Sequence, residues 1–98
     1  MYRDDWLERQ LVQIAAAVSR ITRMRGKDES GVVAEAETGW EILGIRRELA
    51  VVIDTTTLAG MLGTPAKMLA AADLMTAEGF VERATELRRL AVLKSGLT

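Results

Sequence analysis

The sequence predicts an all-α fold: a small bundle of five or six helices, an amino-terminal antiparallel pair packed on a carboxyl-terminal helix-turn-helix. Three observations predict it. Leu7, Leu11, Ile14, Val18 and Ile21 recur at spacings of four, three, four and three, the period of a helix seam. Ala72, Gly79, Ala84 and Ala91 fall at intervals of seven, five and seven across residues 65–96, and small residues so spaced let two antiparallel helices pack closely around a tight turn. The β-branched run Val51-Val52-Ile53 has no second candidate strand to pair with.

The first helix is capped by Asp4 or Asp5, with Glu8 placed three residues after Asp5 as in a capping box. Its seam implies about twenty residues, roughly 30 Å. Ala15, Ala16 and Ala17 widen the apolar face and favour helix. Arg20, Arg23, Arg25 and Lys27 load the end where the macrodipole favours cations. Residues 26–31 read as a polar loop. A second helix follows with Val33, Ala36, Trp40 and Leu43 on one face, ended by Gly44, after which Ile45 turns back to touch Trp40. Residues 46–50 make one helical turn or two. Asp54 and the threonines Thr55, Thr56 and Thr57 cap a short helix that ends at Gly63. Thr64 caps the next, with Pro65 at its first position. This fifth helix, from Pro65 to about Glu78, is apolar almost all round and so is buried against several neighbours. Gly79 stops it and Phe80 folds back onto Met75. The sixth carries Val81, Ala84, Leu87, Leu90 and Ala91 inward and Glu82, Arg83, Glu86, Arg88 and Arg89 outward; Gly96-Leu97 repeats the stop signal.

Ninety-eight residues make a single helical domain with one core. Only four residues in a hundred are aromatic, so aliphatic side chains and methionine fill it. Thirteen basic against fourteen acidic residues leave a net charge of −1, without the basic excess of a nucleic-acid domain and with little self-repulsion. With no cysteine there are no disulfides, thiolate zinc sites or thiol catalysis; with no histidine the commonest general base and metal ligand are both missing. No metal or other cofactor is expected, and no small-molecule substrate. The apolar runs are too short to span a bilayer, and the charged start Met1-Tyr2-Arg3-Asp4-Asp5 is unlike a signal peptide, so the expected location is the cytoplasm.

The small positions Ala72, Gly79, Ala84 and Ala91 match those of a tetratricopeptide motif, and residues 65–96 resemble that two-helix unit. The resemblance implies a concave inner surface on the fifth helix, bearing Leu69, Asp73, Thr76 and Ala77, on which a peptide partner would lie. One period upstream, Thr38, Ile45, Ala50 and Thr57 do not repeat the pattern, so this is not a repeat array. The whole chain is also similar to a group of short bacterial helical proteins, through Asp5-Trp6-Leu7-Glu8-Arg9-Gln10-Leu11, Leu43-Gly44 and the terminal hairpin. That similarity brings no activity; it implies that the amino-terminal helices complete the layer a lone hairpin would lack.

Few constellations suggest chemistry. Glu37 and Glu41 share a face near Glu35, but a dinuclear carboxylate site would bring histidines as well, so solvated helix surface is the better reading. The Arg20–Lys27 cluster is the basis of an alternative reading as a regulatory nucleic-acid binder, with Arg46 and Arg47 added. Asp28 and Glu29 follow it at once, and no aromatic residues interleave. Met61, Met68 and Met75 lie seven apart but are interrupted by Thr64-Pro65, and read as core filler. Gly60 to Gly63 matches no phosphate-binding fingerprint, and no nucleophile has an activating partner, so no enzyme is expected. Tyr2 and Trp6, one helical turn apart, are amphipathic and suited to anchor an interface. The expectation is a protein–protein interaction or adaptor module, self-associating through Tyr2, Trp6, Leu7, Leu11 and Ile14. If half the first helix's seam faced a partner, ~500 Å² of apolar surface would be exposed on the monomer, about the largest patch a soluble monomer carries.

Overall fold

In a computed structural model, residues 2–96 are described, with side chains from Trp6 onward. Among these residues there are six helices and no strand: α1 (Tyr2–Met24), α2 (Glu29–Ile42), α3 (Arg47–Ala50), α4 (Thr55–Leu62), α5 (Pro65–Glu78) and α6 (Val81–Lys94). The amino-terminal pair and the carboxyl-terminal hairpin pack on each other as expected. Helix α1 lies on α2 and α5, α5 on α6 and α2, and α4 on α6.

Local chemistry accounts for the helix ends. The Asp28 and Asp54 carboxylates accept from the backbone N–H of Gly31 and Thr57, each at 3.0 Å, and Thr64 Oγ1 accepts from Lys67 N–H at 3.2 Å with Pro65 at the first position. The Thr57 hydroxyl and then its N–H, donated to Asp54, hold that carboxyl below its ordinary pKa. At the other ends, Ile45 N–H donates to Trp40 O (3.1 Å) and Gly44 N–H to Glu41 O (2.9 Å). The same paired bonds run from Phe80 to Met75 O (2.8 Å) and from Gly79 to Thr76 O (3.0 Å). Both need a left-handed glycine, at φ +83° and +98°. The predicted return of Ile45 to Trp40 and of Phe80 to Met75 is thus made by the backbone.

The core joins Ile14, Ala17 and Ile21 of α1 to Trp40 of α2, Leu58 and Leu62 of α4, Met68, Leu74 and Met75 of α5, and Leu87 of α6. Helices α2 and α5 approach so closely at Gly39 that a Cβ there would lie 2.7 Å from Leu74 Cδ2. One buried ion pair ties the connection after α2 to the end of α5: Arg47 Nε and Nη2 donate to Glu78 Oε1 at 2.9 and 2.6 Å. The Glu78 side chain is only 3% exposed.

Several expectations are corrected. Val32, not Val33, faces the core, because α2 begins at Glu29 inside the predicted loop and presents the neighbouring residue to α1. Val81 is exposed, as the first residue of α6 beyond the reach of α5. Met61 is exposed at the end of α4, while Met68 and Met75 are core. Residues 46–50 supply a single four-residue turn. Arg83 does not point outward. It donates from Nη1 to Ala50 O (2.9 Å) and from Nη2 to Ile53 O (2.6 Å), holding the α3–α4 connection against α6. Leu97 lies outside the described residues.

Candidate interaction surface

The helix lengths and their register create the surface. Helix α1 has 23 residues, whereas α2 and α5 have 14 each. At 1.5 Å per residue α1 is about 13 Å longer than either neighbour. It runs antiparallel to α2: Arg20 Nε meets Glu35 Oε1 at 2.9 Å, and Gln10 Nε2 approaches Ile42 O, the last residue of α2, at 3.5 Å. It runs parallel to α5: Arg25 Nη1 donates to Ala77 O (3.3 Å) near the end of α5, and Leu11 shares a groove with Ala66 at its start. The turns before Gln10 therefore project beyond the ends of both helices.

Between α1 and α5 runs a groove. One section, about 310 Å³, is lined by Leu11, Ile14, Ala15 and Val18 of α1 and by Ala66, Leu69, Ala70 and Asp73 of α5. A second, about 350 Å³, continues past the shared Val18 and Asp73 to Thr22, Arg25, Thr76, Ala77 and Arg88. The first section is largely apolar; the second carries more polar groups, and these are paired with one another. Arg88 Nη2 donates to Asp73 Oδ1 (3.0 Å) and to Thr76 Oγ1 (3.1 Å), and the Thr76 hydroxyl donates to Ala72 O (3.0 Å). Such a cleft can hold an amphipathic segment with one polar end, a helix-in-groove arrangement.

The expected site residues divide as follows. Ile14 is buried and forms the groove floor; Leu11 and Leu7 are half-buried; Leu69, 44% exposed, stands on the rim with Asp73 and the half-buried Thr76. Residues named for two different reasons, the α1 seam and the inner face of α5, thus line one surface. Trp6 is 59% exposed on the projecting turns, outside the groove. The Tyr2 side chain lies outside the described residues. Arg88, expected in solvent, and Arg25 both turn onto α5 instead. The hairpin register was the available signal for Arg88, since antiparallel helices turning at Gly79 bring positions 73 and 88 together.

Other surfaces offer less. A hollow of about 490 Å³ has Glu8, Arg9, Val12 and Gln13 of α1 as its described walls. Of the five arginines in the nucleic-acid alternative, Arg20, Arg25, Arg46 and Arg47 donate to acceptors of their own chain, and among the described residues Arg23 has no such acceptor. Among the described residues no group of three acidic side chains could hold a metal ion, and no helix is long and apolar enough to cross a membrane. No known family model, curated protein or solved structure matches the chain.

Proposed function

We propose that this chain is a non-catalytic protein–protein interaction module of the adaptor kind, which associates with itself through α1. The observation that supports this best is the α1–α5 groove, where Leu11 and Ile14 meet Leu69, Asp73 and Thr76 on one surface leading to the exposed Trp6. An apolar strip with a polar, pre-paired end suits helix-in-groove recognition and has no catalytic group aimed into it. In the tetratricopeptide-like version of the reading, a partner peptide follows the α5 side of the same groove. The lack of cysteine suits a reducing compartment such as the cytoplasm.

Light scattering at tens of micromolar tests self-association. A mass above that of one chain, reduced by Trp6→Ala with Leu11→Ala at unchanged helical signal, supports it; a strict monomer refutes it. Asp73→Lys separates the peptide version, since loss of capture of a helical peptide would place the partner on α5. The nucleic-acid alternative is weaker, because four of its five arginines already donate to acceptors of the chain itself and the net charge of −1 gives no basic excess.

A further inference from the structure

The seam of α1 loses its floor. Ile14, Ala17 and Ile21 are buried where α2 and α5 lie beneath them. The same stripe continues through the half-buried Leu7 to Trp6, beyond the last residue of α2 and the first of α5. We propose that the surface covering these projecting turns is a second copy of this chain. Its two α1 helices cross antiparallel about a two-fold axis near Trp6 and Leu7. This rests on the reading that the module self-associates, and it names the contact.

Three arguments favour a second copy over an unrelated partner. First, geometry: each copy supplies both a projecting stripe and the uncovered bundle end beside it, at Leu11, Ala66 and Leu69. A two-fold operation seats the stripe of each on the end of the other, an isologous contact that closes. Second, area: with Trp6 at 59% exposure and Leu69 at 44%, the apolar part of this patch is on the order of 350 Å² per copy. Interfaces are a little over half apolar, so the pair would bury roughly 1,200 Å² in total, the lower bound of a stable specific contact. Third, charge: the projecting turns carry Arg3 and Arg9 against Asp4, Asp5 and Glu8. The net charge of −1 adds little repulsion between copies.

The natural chain has no cysteine, so single-cysteine variants give a clean readout. Leu7→Cys, next to the axis, is expected to form a disulfide-linked dimer under mild oxidation at least tenfold faster than Val52→Cys or Leu69→Cys, which lie off it. In sedimentation, Trp6→Glu is expected to raise the dissociation constant of the otherwise natural chain at least 100-fold with the helical circular dichroism intact. A dimer that survives Trp6→Glu, or that crosslinks faster through position 69 than through position 7, overturns this contact and leaves self-association standing. An assembly that grows without closing overturns the two-fold arrangement. A wild-type chain that stays monomeric overturns both this contact and the reading it rests on.

Discussion

Arg83 is expected to clamp the α3–α4 connection, and its removal should loosen that segment measurably. Two guanidinium donors reach two carbonyls, Ala50 O at 2.9 Å and Ile53 O at 2.6 Å, across a stretch with only one four-residue helical turn of its own. Ala50 supplies the last carbonyl of α3, and Ile53 the carbonyl just before the Asp54 cap of α4. Hydrogen bonds to a charged group contribute about 1.5–3 kcal/mol each when buried. The side chain is half-exposed, and water can replace part of each bond, so about 1 kcal/mol apiece is the working figure, ~2 kcal/mol for Arg83→Ala. For a domain of this size that lowers Tm by roughly 8–16 °C. Arg83→Lys keeps the charge but can satisfy only one carbonyl well, so it should fall midway. Urea unfolding followed by circular dichroism reads the effect as a midpoint shift at constant slope. Amide exchange at residues 51–54 should accelerate in parallel. If Arg83→Ala unfolds within about 0.5 kcal/mol of wild type, the two bonds are not stabilising and the clamp is refuted.

Arg47→Ala strands the buried Glu78 carboxylate, whose Oε2 already has no hydrogen-bond partner, and should cost about 3 kcal/mol; replacing both residues with methionine should recover most of that loss in the same unfolding assay. Gly79→Ala forces a φ of +98° on a residue with a Cβ and sets that atom 2.6 Å from Arg25 Nη2, so about 1–2 kcal/mol should be lost. Gly60→Ala, inside α4 with no atom near the new methyl, should instead stabilise by about 0.5–1 kcal/mol, and equal signs for the two glycines would contradict the backbone argument. The Asp54 carboxyl is held below its ordinary pKa by Thr57, so its proton binds more weakly in the folded chain than in the unfolded one. Its stabilising effect is complete at neutral pH and is lost as pH falls below about 4. The stability gap between wild type and Asp54→Ala should therefore shrink on acidification; a gap that widens would reverse the sign.

Most helix boundaries were legible because their causes are local, but α1 starts at Tyr2, ahead of the expected Asp4 or Asp5 cap, and α2 at Glu29, inside the expected loop. Asp54, Thr64-Pro65, Gly44 and Gly79 act on backbone groups within five residues, and each acts as its type implies. Side-chain facing at helix edges was less legible. Val32 and Val33 are adjacent and equally apolar, and only the angle at which α2 meets α1 chooses between them. Arg83 and Arg88 look alike in sequence to the solvent-facing Arg89, which pairs with Glu86 one turn away. What distinguishes Arg83 is a carbonyl thirty residues distant.

The all-helical fold, the order of the helices and the glycine-turned hairpin follow from period, caps and glycines, because each is written within one or two turns of chain. The candidate surface does not. Leu11 and Leu69 share a groove because α1 packs parallel to α5, and Trp6 is exposed because α1 outlasts both helices beneath it. Packing direction and overhang are relations between distant segments, set by how the whole core closes, and no local pattern of residues carries them.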